Sequence, residues 1–294
     1  MWGNIAGARG LAGSSIVAFP RKYGPWALIT GASHGLGAEF ARQVAALGLN
    51  IVLVARSADE LQTRADELEH AASVQTRTVP LDLSRDDAVD RLIAATRDLE
   101  IGLLINNAGI SIVRPFLSLD PEFLDRQLRV NNRAGLLLAR HYGEQMVRRG
   151  HGGMIFVSSG SALHGTPWSA SYCATKAFNA MVAEALWYEL RPRGVDVLGW
   201  LAGATRTPGF LGNDPGRSGL VPVGEARPAV TEALRALGRR PSVADGRLNR
   251  LGYAVMGLLP RSVAVRLLGR SMSQMFGPFP DWPPTNHEPD TTHN

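Results

Sequence analysis

Residues 21–276 are expected to form a single α/β domain, a doubly wound parallel sheet with helices on both faces. Three observations predict it. Short, almost wholly apolar runs recur along the chain, the pattern of strands buried on both faces. Longer amphipathic stretches separate them, so successive strands must be joined by helical crossovers, which places them parallel. The first run passes directly into a glycine-rich turn and then a helix.

In order, the expected strands are WALIT, NIVLVA, VQTRTVPL, GLLIN, GMIFVS and VDVLGWL. The helices between and after them are expected over Ala38 to Leu47, Ala58 to Ala72, Asp86 to Asp98, Pro121 to Arg149 and Ser169 to Arg191. Residues 1–20 have a short apolar stretch broken by Gly, Asn and Arg, too interrupted to span a bilayer, and read as a flexible arm. Residues 277–294 are Pro-rich and polar, a composition that cannot pack a core, and read as a disordered tail.

With 294 residues, 45% of them hydrophobic, the chain can bury a large single core. The net charge of +5 is too small and too dispersed for a nucleic-acid protein, but suits an anionic cofactor. Cys173 is the only cysteine, which excludes an internal disulfide and a multi-cysteine metal site and points to a reducing compartment, the cytoplasm being the simplest.

The turn TGASHGLG carries Gly31, Gly35 and Gly37, with Ser33, His34 and Leu36 between them. Glycines here let the backbone approach a pyrophosphate, while the opening helix points free N–H groups and its positive dipole end at the phosphates. The second strand ends at Ala55, followed by Arg56 and Ser57, where an acid would accept the ribose 2′-hydroxyl of NAD. A guanidinium with no carboxylate beside it suits a 2′-phosphate instead, so NADP(H) is the expected cofactor. His34 is a second candidate for that pocket, and a solvated arginine at a helix start is the alternative for Arg56. Asp82 and Leu83 close the third strand, where a carboxylate can accept from the adenine amino group. NNAG closes the fourth, where the small residues of Asn107, Ala108 and Gly109 would let a cofactor lie against the sheet. An ordinary strand-end turn is the alternative for each.

From Tyr23 to Thr207 the chain resembles the short-chain dehydrogenase/reductase family, whose fold is of the Rossmann type. The glycine motif, NNAG, VNNRA, IFVSSGS and YCATK carry the resemblance. The opening RKYGPWALITGAS is also similar to the branch holding hydroxysteroid dehydrogenases and long-chain 3-ketoacyl reductases. The resemblance implies a catalytic tetrad of Asn131, Ser159, Tyr172 and Lys176. Asn131 rather than Asn132 keeps Ala134 and Met146 in place, and Ser159 lies thirteen residues before Tyr172. It also implies that Asn131 anchors a water, that Gly203 lies in the loop under the nicotinamide, that the Thr207 hydroxyl lies near the carboxamide or pyrophosphate, and that residues after Thr207 cover the substrate. Where the family has Pro-Gly the chain reads Ala202-Gly203, which removes a φ restraint from that loop.

The residues suit the chemistry. Hydride transfer to a carbonyl leaves negative charge on oxygen, which must be held and protonated. Tyr172 can do both, and a cation one helical turn away, Lys176, is expected to bring its pKa down. Lys176 is one of only two lysines among 31 basic residues, the other being Lys22, so an ammonium has been kept where arginine is used almost everywhere else. Leu163, Trp168, Phe210 and Leu211 are expected to line a pocket for an apolar ketone or alcohol. Residues 239–270 hold seven arginines and one acid, Asp245, interleaved with Leu, Val and Met. Domain packing or a subunit interface is the first reading of that segment and peripheral membrane contact the second. The expected protein is an NADP(H)-dependent ketone/alcohol oxidoreductase and a homo-oligomer, with a non-catalytic NADP-binding sensor as the alternative.

Overall fold

The computed structural model describes residues 19–206 and 223–277. The expected arm up to residue 18, Thr207, Phe210, Leu211 and the tail from residue 278 lie outside the described residues. Among the described residues seven parallel strands form one sheet in the order β3-β2-β1-β4-β5-β6-β7. The strands are β1 Trp26–Thr30, β2 Asn50–Ala55, β3 Thr76–Pro80, β4 Ile101–Asn106, β5 Gly152–Ser159, β6 Val195–Ala202 and β7 Ser242–Ala244. The order reverses between β1 and β4, which opens a crevice at their C-terminal ends where ligands bind in folds of this kind.

The apolar runs become strands because each is covered from both sides. Ile29, Ile51, Leu53, Ile105 and Trp200 enter one buried cluster; Leu28, Val52, Val54, Leu104 and Met154 enter the other. Alternate residues of each strand thus feed opposite faces of the sheet. Phe40 meets Trp200 edge to face, ring centroids 5.5 Å apart, and fastens the first helix to β6.

The helices are α1 Gly35–Ala46, α2 Ala58–Ala72, α3 Ala88–Ala95, α4 Pro121–Leu128, α5 Ala134–Arg149, α6 Ala170–Leu190, α7 Ala226–Ala236, α8 Arg247–Leu258 and α9 Arg261–Phe276. Their ends follow the local sequence. Ser57 caps α2 by accepting from the Glu60 N–H at 3.3 Å, with Asp59 and Glu60 in its first turn favouring the positive dipole end. Asp120 caps α4, and Pro121 fills a position whose N–H needs no partner.

One expected helix is divided. The stretch from Pro121 to Arg149 is amphipathic throughout, but Arg129–Arg133 form a π-helical turn between α4 and α5. Side-chain bonds between this turn and α6 hold it: Asn132 Nδ2 donates to Thr175 O at 2.8 Å and Asn179 Nδ2 donates to Asn131 O at 3.0 Å. Such turns occur mostly as local insertions at functional sites.

Candidate active site

At the β1/β4 crevice the glycine turn is fixed before any ligand is considered. Gly31 has φ +66°, a conformation only glycine adopts at no cost. A Cβ on Gly37 would stand 2.0 Å from Gly31 O, so the start of α1 sits on the turn itself. Thr30 Oγ1 accepts from the N–H groups of Asn107 and Ala108, each at 3.0 Å, and Asn107 Nδ2 donates to Thr30 O at 2.9 Å and Gly31 O at 3.1 Å. Asn107 is therefore turned toward the glycine loop, and its amide holds β1 and β4 together. The small-residue reading of NNAG fits Ala108 and Gly109, which line the crevice.

The crevice is a cavity of about 600 Å³. Gly31, Ser33, His34, Arg56, Ser57, Asp82 and Leu83 line it along with Ala108 and Gly109. Leu36 instead packs its side chain against the core beneath the loop. Burial acts to raise the Asp82 carboxyl, but hydrogen bonds from Ser84 and the charges of Arg56 and Arg126 hold it below its ordinary value. Two charged lining residues escape a reading of strand ends. Arg126 arrives from α4 and adds a second cation beside Arg56. Glu60 arrives from α2, with Oε1 3.3 Å from His34 Nε2, and adds a carboxylate to the lining, although the end of β2 itself carries none. The α-helical period brings Glu60 around to the mouth one turn after Ser57. Glycine turn, helix start, cations and cavity fit a dinucleotide phosphate chain and ribose.

The reacting groups converge at the ends of β4 and β5 beside this cavity. Ser158 and Ser159 point to opposite faces of β5. Ser158 Oγ donates to Lys176 O at 2.7 Å inside the protein, whereas Ser159 faces the site and accepts from Ser161 N–H at 3.2 Å. On α6 Tyr172 is half-buried and Lys176 buried, with Nζ 5.6 Å from the Tyr172 ring centre. Lys176 Nζ donates to Val157 O at 2.9 Å, and a Cβ on Gly109 would stand 3.3 Å from it and 3.5 Å from Asn131 Oδ1. Only glycine at 109 leaves this space open.

Asn131 spends its side chain on the neighbouring loop. Its Oδ1 accepts from Ile110 N–H at 2.8 Å, and its Nδ2 donates to Ile110 O and Thr175 Oγ1, both at 3.0 Å. It sets the height of the Gly109–Ile110 segment against α6.

Burial moves the proton equilibria of the pair apart. The Tyr172 phenol is pushed up to about 12 by burial, with the hydrogen-bonding Ser159 hydroxyl acting the other way, and the Lys176 ammonium is pulled down to about 8 by burial. This corrects the expectation that Lys176 lowers the tyrosine: in a weakly polar interior each group leans toward its neutral form. Cys173 is buried beside Tyr172, and packs there as expected.

The far wall comes from residues outside the motifs. Gly203 N–H donates to Asp245 Oδ1 at 2.5 Å, and a Cβ on Gly160 would stand 1.7 Å from the Tyr253 hydroxyl, so the β7–α8 region closes on both sides of Ser159. Trp168 lies 6.3 Å from Phe276 of α9, ring centre to ring centre, and Leu163 is half-buried nearby in sequence.

A family model described as short chain dehydrogenase matches residues 25–214. The chain is 30% identical over 258 residues to a 7beta-hydroxysteroid dehydrogenase of Clostridium sardiniense, covering 87% of this chain and 99% of that one. A solved structure from a study of 7beta-hydroxysteroid dehydrogenase stereoselectivity superposes with a TM-score of 0.80 at 30% identity, over 85% of this chain and 98% of the other. A short-chain dehydrogenase from Sphingobium yanoikuyae in complex with NADPH superposes with a TM-score of 0.70 at 30% identity, over 80% and 94%.

Proposed function

Since the chain belongs to the short-chain dehydrogenase family, and so is an NAD(P)-dependent oxidoreductase acting on alcohol and carbonyl groups, we infer that it interconverts a bulky apolar ketone and its secondary alcohol with NADP(H). The observation that carries this reading is the convergence of Tyr172, Ser159 and Lys176 beside the cavity that fits the dinucleotide.

When bound, the nicotinamide supplies or receives the hydride. The rest falls to the chain. In reduction, negative charge grows on the carbonyl oxygen, and the Tyr172 phenol, kept protonated by burial, donates to it. Ser159 holds the same oxygen with its hydroxyl. Lys176, still mostly cationic at neutral pH, places positive charge behind the phenol and would hold the ribose hydroxyls of a bound cofactor. Asn131 acts as a positioning residue through Ile110 and Thr175. Gly203 would border the nicotinamide end, and Thr207, outside the described residues, is proposed to offer its hydroxyl to the carboxamide or pyrophosphate.

NADP(H) is supported by Arg56 and Arg126 at the cavity and by the relative solved with NADPH. An apolar, steroid-, acyl- or aromatic-like ketone is supported by the relative named for a hydroxysteroid and by Leu163, Trp168 and Phe276 beyond Ser159. A homo-oligomer is supported by the exposed Leu136, Leu137, Phe178 and Met181 on α5 and α6, and a cytoplasmic setting by the single cysteine.

The test is a titration with NADPH and NADH followed by turnover on steroid, acyl and aromatic ketones, with Tyr172→Phe alongside. Tighter NADPH binding, turnover of a bulky ketone, and a loss on the order of 10²–10⁴-fold in Tyr172→Phe with cofactor binding kept are expected. Binding with no turnover on any ketone would replace the enzyme reading with a cofactor sensor.

A further inference from the structure

The α8 helix is built inside out. Leu248, Leu251, Val255 and Leu258 are 72%, 63%, 51% and 85% exposed, and at 3.6 residues per turn they fall in one stripe about 80° wide. Half-buried Asn249, Tyr253 and Met256 form the opposite face. Asn249 Nδ2 donates to Asp245 Oδ1 at 3.4 Å, and Tyr253 packs on Gly160. A helix on a soluble core puts its apolar stripe inward. Here the polar and aromatic groups face the protein. A Cβ added at Gly252 or Gly257 would meet nothing within 4 Å, so α8 is uncovered at both positions.

The next helix extends the surface. Val263 and Leu267 of α9 are exposed, with Arg266 and Arg270 beside them. The two helices carry Arg247, Arg250, Arg261, Arg266 and Arg270 and no Asp or Glu. Arg250 pairs with Glu232 of α7, while the other four are exposed. The second apolar surface of the molecule differs in just this respect. Around Leu136, Leu137 and Phe178 the rim mixes Asp86 and Asp125 with Arg129 and Arg133, as suits another protein face. Charge of one sign around an apolar stripe instead selects an anionic partner that is apolar within.

We propose that α8 and α9 dock the enzyme on an anionic lipid surface, the Leu/Val stripe entering the acyl boundary and the arginines meeting lipid phosphates. Among the described residues no helix is long and apolar enough to cross a membrane, so the pair lies in the plane of the interface. The inner face of α8 reaches the site through Tyr253 on Gly160 and Asn249 on Asp245, which sets the docked surface one helix diameter, about 10 Å, from Ser159 and Gly203. An apolar ketone dissolved in the bilayer then meets the site without crossing water. Docking itself holds whichever ketone is reduced, so its test needs no turnover.

The test is flotation of the full chain with vesicles of phosphatidylcholine alone and of phosphatidylcholine mixed with phosphatidylglycerol. The protein is expected to float with the mixed vesicles only and to be released by raised salt. Arg261→Gln/Arg266→Gln is expected to weaken partition roughly ten-fold or more. Leu251→Gln/Leu258→Gln is expected to abolish it, and in both NADPH binding stays intact. Two pairs of substitutions keep the test alive if one fails to fold. No flotation with mixed vesicles, or flotation indifferent to both pairs, overturns the proposal. So does a wild-type dimer that Leu251→Gln/Leu258→Gln converts to monomer, since a second copy would then own the face.

Discussion

The N–H of Gly203 and the carboxylate of Asp245 meet at 2.5 Å, joining the end of β6 to the end of β7 across 42 residues. The loop that lacks proline at position 202 is thus held from outside rather than by its own φ. Burial raises the Asp245 carboxyl, with the Gly203 bond opposing it. A carboxyl raised in the folded state binds its proton more tightly there than in the unfolded chain, so this group's contribution to stability falls as pH rises from the ordinary carboxylate range through the raised value. Asp245→Asn keeps an acceptor for Gly203 and removes the buried charge. Thermal melts are expected to show its advantage over wild type growing from mildly acidic to neutral pH. Asp245→Ala orphans the N–H and is expected to cost about 1–3 kcal/mol.

Lys176 and Tyr172 set the alkaline limit of activity. The quantity kcat/KM for NADPH reports groups of the free enzyme. It is expected to fall as pH rises through about 8, where Lys176 loses its charge, with no tyrosine limb until about 12. Because the lysine's folded value is depressed, the folded state gains stability as pH rises from about 8 toward the ordinary value of 10.5. Lys176→Met removes the buried cation. It is expected to abolish turnover yet stabilise the fold at neutral pH by on the order of 2–3 kcal/mol in denaturant melts.

Much of the site was legible because it sits where strand ends must be. The apolar runs gave β1 to β6, and the parallel order then placed Thr30, Asn106 and Ser159 at one edge. The tyrosine–lysine spacing put both on one face of α6. What was not legible has physical reasons. Three residues make β7 too short for a periodic signal. The π turn at Arg129–Arg133 depends on amide bonds to Thr175 and Asn179, more than 40 residues away, not on its own composition. Arg126, Glu60 and Tyr253 reach the site from helix faces, and local pattern says only that they are helical. The lysine–tyrosine expectation failed because one-dimensional spacing carries no measure of burial, and burial dominates both groups.

Cofactor choice is expected to rest on the two arginines of the cavity. Replacing Arg56 with Ala, and separately Arg126 with Ala, should each weaken NADPH binding about 10- to 100-fold and leave NADH binding nearly unchanged, by fluorescence titration. Glu60→Gln should strengthen NADPH, because it removes a carboxylate that lines the mouth together with Arg56 and pairs with His34.

Tyr23 bears on stability alone. Its hydroxyl donates to buried Asp196 at 2.5 Å, and Lys22 pairs with the same carboxylate. Tyr23→Phe should cost about 1.5–3 kcal/mol in urea melts, the range for a hydrogen bond to a charged acceptor. Turnover per folded molecule should be unchanged.

The clamp between Thr30 and Asn107 has a kinetic corollary. Six atoms of turn geometry are tied to one another by the protein's own hydrogen bonds, so ordering this turn draws nothing from a nucleotide's association free energy. Capture is then a single encounter whose observed rate rises linearly with nucleotide concentration, without the plateau that a slow rearrangement imposes. Thr30→Val, which keeps the shape and removes the hydroxyl, converts that line into a saturating curve.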